Sequence, residues 1–221
     1  MLREAALPRV ARWVYPVLGA TLVFVLTTAY FEAYVTRSFS SLSPSNAYWL
    51  AHESGKSLFG YVFALFNGSV GDKLTALFDA GSFVFFMVPL AAYSFLYAAF
   101  RRFDLAVLGS LLVLFYPGEL GALQASAFGA LTGFVLIFPA LYVANAAIER
   151  FSEARIAVFL ILSVGVSLGD PILGMILGAS AAPAAALAYS KGAKRGAAVP
   201  VLGFAAGLIA YFALASSPSL A

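Results

Sequence analysis

The chain has no cysteine, a single histidine, and only 13 basic and 10 acidic residues in a length of 221. Each shortage excludes something. Without cysteine there are no disulfides, no thiol catalysis and no iron–sulfur ligation, and the compartment is left open. One histidine, His52, without clustered carboxylates does not supply the usual donor set for a metal, so no metal site is expected. No glycine-rich phosphate loop follows a strand and no nucleotide-binding signature is present, so no cofactor is expected either. The small positive balance, +3, comes from clusters beside apolar segments and reads as a topology signal; nucleic acid is not implied. Strict apolar/polar alternation in short blocks is also missing, which favours helices over a membrane barrel.

What is abundant is apolar: 62% of residues are hydrophobic and 10% charged, against roughly 25% charged in soluble domains. In hydrocarbon a lipid-exposed backbone is satisfied only inside a helix or a closed barrel. The expected fold is therefore all-α, a polytopic membrane bundle in one domain over 1–221. About seven runs qualify as spans, near 13–35, 78–99, 104–117, 121–147, 156–169, 171–189 and 198–216. The third and fifth are shorter than the roughly 20 residues that cross a bilayer unaided. The first is too long for a cleavable signal and lacks a small-residue cleavage site.

Basic residues set the expected orientation. With the N-terminus inside, the inner segments hold Arg3, Arg9, Arg12, Arg101, Arg102, Arg150, Arg155, Lys191, Lys194 and Arg195. The outer segments hold Arg37, Lys56 and Lys73. Ten against three favours N-inside and C-outside by the positive-inside rule. The chain is thus expected to be an integral, multi-pass protein of a cell membrane, of prokaryotic type.

The long connection, 36–77, opens with the turn cluster "SFSSLSPSN". Tyr48 and Trp49 suit the headgroup level. The apolar run 57–66 is too short to span and reads as an interfacial or re-entrant helix. Asn67-Gly68-Ser69 is a formal glycosylation triplet of low specificity. Ionisable groups at mid-membrane cost on the order of 2.5–3.5 kcal/mol by insertion scales, so Glu32 and Asp79 are expected near the outer surface. Asp170 precedes Pro171 at a break between two apolar runs. Proline suits a helix start, and Asp170 is placed to cap the sixth span with its carboxylate. His52, alone in the outer connection, reads as a surface group. Three small-residue pairs stand four apart: Gly129/Gly133, Gly174/Gly178 and Gly203/Gly207. Such pairs clear a groove for close helix approach, and the fourth and sixth spans are expected to touch through theirs.

The order of these features resembles the rhomboid intramembrane proteases. One span leads to a long outer connection with Tyr-Trp; two spans follow, then "LQASAFGALTGFVLIFPAL", a short fifth and "GDPILGMILG". The likeness covers about 13–190, and the last span, 198–216, is similar to the extra helix of longer members. It places Ser126 at the nucleophile position. The departures bear on chemistry. The family's Gly-x-Ser-Gly stands here as Gln124-Ala125-Ser126-Ala127, the sixth-span histidine falls near Asp170 or Pro171, and the second-span His and Asn fall near Asp72 and Ala76. A serine hydroxyl is a poor nucleophile without a base, and an acid at the oxyanion position would repel developing charge. The resemblance thus implies a non-catalytic rhomboid-like protein, in contact with membrane lipids, that binds or retains transmembrane segments of client proteins. Two alternatives stay open. One is an active intramembrane serine peptidase using Ser126 with Asp170 or water as improvised base. The other is a small-solute transporter or channel, against which stands the lack of matched inverted halves. "SLGDPIL" is also slightly similar to the intramembrane aspartyl proteases, but the preceding span has no second aspartate to share a proton.

Overall fold

The computed structural model describes residues 9–35, 58–70, 73–115, 128–190, 192 and 194–215. Among these residues there are helices and no strand. α1 is Arg9–Tyr30, extended by a π turn at Phe31–Val35. α2 is Leu58–Val70, α3 Lys73–Phe100 and α4 Phe103–Leu114. α5 is Phe128–Glu149, α6 Glu153–Gly169 and α7 Pro171–Ser190. A 3₁₀ turn, Lys194–Ala197, leads into α8, Ala198–Ala215. Each apolar run of the sequence overlaps one of these elements, including the short run in the long connection, which overlaps α2.

Among the described residues, four stretches are long and apolar enough to cross a membrane: Val14–Ala33, Thr75–Phe100, Gly129–Glu149 and Ile172–Ser190. At about 1.5 Å per residue, the shortest of them, 19 residues, reaches close to the roughly 30 Å of a hydrocarbon core. Phe103–Leu114 and Ala198–Ile209 are shorter apolar helices. The described residues are all-helical, and the four long apolar helices make this a membrane-integral protein. Its outer surface agrees, since Ile161, Val201 and Ile209 are each more than two-thirds exposed and would meet lipid as readily as protein.

The apolar setting explains what the helices tolerate. Pro16, Pro89, Pro139 and Pro183 all lie inside helices, as is common where neighbouring helices and hydroxyls satisfy the freed carbonyls. The hydroxyls of Thr27, Ser82, Ser94 and Ser167 each donate to a carbonyl four residues back, at 2.7–2.9 Å. A polar atom is thereby satisfied within its own helix. Glu32 sits exposed on the π turn. Asp79 is half-buried in α3, which begins at Lys73, five residues before the expected span. The Asn67-Gly68-Ser69 triplet falls within α2.

Aromatic and glycine contacts fix the relative directions. Along α1 and its π turn, Tyr15 meets Phe103, Phe24 meets Phe86 and Phe31 meets Phe78, at ring separations of 5.6–6.2 Å, so α1 runs against α3. α3 and α5 run together, with Leu77 and Leu131 in one core cluster and Phe95 6.2 Å from Phe138. Arg101, in a left-handed conformation at φ 54°, lets α3 turn sharply into α4. The turns carrying Arg101, Arg102, Arg150, Arg155 and Arg195 therefore share one end of the bundle, where α1 also begins. The π turn, α2, the start of α5 and the α6–α7 junction share the other.

The glycine pairs do not meet as the sequence suggests. α5 and α7 do touch, but the Gly129/Gly133 face receives the end of α6. A Cβ on Gly129 would stand 2.7 Å from the Gly169 carbonyl oxygen. One on Gly133 would meet Leu173 at 3.0 Å and the Val166 carbonyl at 3.3 Å. The Gly174/Gly178 face is taken by α8: a Cβ on Gly174 would stand 3.0 Å from Gly207, and one on Gly203 would stand 3.1 Å from Gly178. The reason is connectivity. A short linker returns α8 antiparallel beside α7, so the bare faces of these two chain neighbours lie on each other.

Candidate functional site

The residues that the resemblance singles out lead to the junction of α6 and α7. α6 ends at Gly169 because Asp170 turns extended, with φ −155° and ψ 116°. The Asp170 N–H still donates to the Val166 carbonyl at 2.9 Å. Its carbonyl accepts from the Gly174 N–H at 3.2 Å, and Oδ1 accepts from the Ile172 N–H at 2.8 Å. Asp170 is thus the N-cap of α7, satisfying one of the free amides of the first turn. Pro171 follows at the position where its missing N–H matters least. The Asp170 side chain is half-buried.

The first turn of α5 lies directly on this junction. Cβ atoms on Gly129 and Gly169 would each stand 2.7 Å from the other's carbonyl oxygen, and one on Gly133 would be 3.7 Å from the Asp170 nitrogen. Backbone touches backbone here, which only glycine permits. The structure therefore brings Gly129, Gly133, Gly169 and Asp170 together at one end of the bundle. Gly174, Gly178, Gly203 and Gly207 form the separate α7–α8 seam. Ser126, Asp72 and His52 lie outside the described residues. Ala76 is fully buried in α3, in a core with Phe59, Leu77 and Phe85.

Sequence reasoning missed Gly169, Ser163 and Ser167. The signal for the glycine was its place next to the cap, where a side chain would block α5. The serines are four apart on α6 and fully buried. Ser167 donates to the Ser163 carbonyl at 2.7 Å and lies against Gly174; Ser163 Oγ has no hydrogen-bond partner among the described residues. Among the described residues no three of His, Cys, Asp and Glu gather in a metal-binding group. Chemically, the junction offers one carboxylate already engaged in capping, two buried hydroxyls and a backbone-to-backbone helix crossing.

α5 is the shared wall of the bundle. α3 packs on one side of it, α6 and α7 on another, and α2 touches α3, α5 and α6 at the end that carries Asp170. Leu131, Phe138, Tyr142 and Asn145 lie on one face of α5, by the 3.6-residue period. That face is buried at Leu131, half-buried at Phe138 and exposed at Tyr142 and Asn145. The cover ends partway along, leaving a strip of α5 open toward the basic end, with an amide side chain at its far end.

The chain matches no protein-family model, no curated protein and no solved structure. What fold and site define is the class: a helical, membrane-integral protein with a glycine-lined helix junction capped by Asp170.

Proposed function

We propose that this is a rhomboid-like bundle of seven crossings that binds transmembrane segments of client proteins without cleaving them. The N-terminus and the basic turns lie on the inner side and the C-terminus on the outer side. The gathering of basic turns at one end supports this orientation through the positive-inside rule. Support for seven crossings comes from the alternating directions of α1, α3 and the helices from α4 to α8. The short ones, α4 and α6, are 12 and 17 residues long and sit beside full-length neighbours.

The observation that carries the binding reading is the open strip of α5. A client helix lying there would bury Tyr142 and lean on Phe95 and Phe138, while α2 closes the other end. Between apolar surfaces in lipid the gain is van der Waals packing rather than hydrophobic burial, and an amide such as that of Asn145 adds a hydrogen bond between helices. Gains of that kind suit reversible holding. The absence of cleavage is supported by Asp170, whose carboxylate serves α7 as a cap, and by the lack of a histidine on any described helix.

The test is photocrosslinking in proteoliposomes with a synthetic single-pass peptide. A benzophenone side chain replacing Tyr142 is expected to capture the peptide, and one replacing the lipid-facing Ile161 is not. Equal capture at both positions, or none at either, refutes the reading. A fluorophosphonate probe is expected to leave the protein unlabelled. Labelling that disappears in Ser126→Ala would restore the peptidase alternative.

A further inference from the structure

Two connections at the basic end are locked together. Gly196, in the 3₁₀ turn before α8, lies so close to α5 that a Cβ on it would stand 2.7 Å from the Ile148 carbonyl oxygen. Arg155, in the first turn of α6, reaches back across the α5–α6 turn. Its Nη1 donates to the carbonyl oxygens of Ala146 and Arg150, both at 2.9 Å. Both lie at the end of α5: the Ala146 carbonyl also accepts from the Arg150 N–H at 3.1 Å, and Arg150 follows the last helical residue, Glu149. The guanidinium is thereby pinned and half-buried. It has five N–H donors in a rigid fork, and those on Nε and Nη2 have no partner among the described residues.

A second guanidinium is anchored on the same turn. Arg195 lies over the ring of Phe151, 5.8 Å from its centre, and Phe151 is 44% exposed. Arg150 is exposed beside it. Glu149 and Glu153 are exposed on the same turn, yet neither pairs with these arginines: the ion pair among the described residues is Arg102–Asp104, on a different turn. With Lys191 and Lys194, the two connections carry five cations against two carboxylates. Cations held together with unspent donors call for an anion, and the guanidinium fork matches phosphate oxygens two at a time. The turns end apolar helices, at the depth where headgroups and exposed aromatic rings meet.

We propose that the α5–α6 turn and the 3₁₀ turn before α8 form a binding site for the phosphate headgroup of an anionic phospholipid, held by Arg150, Arg155 and Arg195. Arg155 supplies the fixed fork. Arg150 and Arg195 close over the phosphate from the exposed side, and the acyl chains run down the apolar flank beginning at Phe151.

Native mass spectrometry of the full-length protein in detergent tests this, with phosphatidylglycerol and phosphatidylcholine of identical acyl chains as probes. Phosphatidylglycerol is expected to be retained at least about tenfold better, and Arg150→Gln/Arg195→Gln to lose roughly tenfold or more of that retention, since each juxtamembrane cation adds several-fold to anionic lipid binding. Arg195→Gln alone removes no hydrogen bond to the described residues and is expected to lose about fivefold, so a folding defect in the double variant does not decide the matter. Arg9→Gln/Arg12→Gln, with the same charge change, is expected to retain the lipid. Equal retention of the two lipids overturns the proposal. So does equal loss in the two double variants, which would make the effect bulk charge, and so does displacement by inorganic phosphate, which would make this a small-anion site.

Discussion

Adding one methyl group to Gly207 tests the α7–α8 seam most directly. A Cβ there would stand 2.6 Å from the Met175 nitrogen and 2.8 Å from the Gly174 carbonyl carbon, against 3.4 Å or more for ordinary contact. The obstructing atoms are backbone, so no rotamer change relieves the overlap and the helices must separate by about 0.8 Å on this contact alone. Overpacking of this kind typically costs about 1–3 kcal/mol. Alanine in place of glycine in a helix would by itself stabilise by up to about 1 kcal/mol, so the two effects oppose. With the full helix gain set against it, the net expectation for Gly207→Ala is a loss of up to about 2 kcal/mol. Gly68 on α2 is the control, because a Cβ there would meet nothing within 4 Å among the described residues; Gly68→Ala is expected to be neutral or stabilising by up to about 1 kcal/mol. The two variants share the helix gain and differ by the overpacking cost of about 1–3 kcal/mol, so at roughly 2–4 °C per kcal/mol for a chain of this size they should melt about 2–12 °C apart. Thermal unfolding in detergent, followed by size-exclusion with fluorescence detection, reads the difference. Equal melting temperatures would refute the close approach of α7 and α8.

Other expectations follow from single contacts. Asp170→Ala removes the acceptor of the Ile172 N–H and should cost about 1 kcal/mol, whereas Asp170→Asn, which can still cap, should cost much less; equal losses would show that capping is not what the side chain does. Arg155→Gln removes the guanidinium bond to the Arg150 carbonyl and the second of two donors on the Ala146 carbonyl, which keeps the Arg150 N–H. It should cost about 1.5–3 kcal/mol, with faster amide exchange confined to the end of α5. Uniformly faster exchange would contradict a local role. Tyr93→Phe loses the bond to the Pro16 carbonyl, 3.1 Å long, and should cost about 1 kcal/mol; an unchanged melting temperature would mean that α1 is held to α3 by packing alone.

The elements were largely legible before their arrangement. The run 171–189 becomes α7 at Pro171–Ser190 and 198–216 becomes α8 at Ala198–Ala215, because proline and the basic linker mark boundaries locally. The start of α3 was not legible. Lys73 and Thr75 look too polar for a span, yet the helix runs through them where α2 and α5 cover Ala76, Leu77 and Ala80. At the candidate site, the capping role of Asp170 follows from its neighbour Pro171, a purely local cue. The neighbours across the junction, Gly169 and Gly129, are 40 residues apart in the chain, and no local signal pairs them.

By itself, the sequence determined the solvent of this protein, its helical class and the segregation of basic residues to alternate connections. Hydropathy and charge act residue by residue and need no knowledge of partners. Only the tertiary structure decided which bare helix face closes on which, that Arg155 pins the end of α5, and that one face of α5 passes from buried to open. Three interchangeable glycine pairs and several guanidiniums offer many pairings of similar local chemistry. Chain connectivity and steric register between packed helices choose among them.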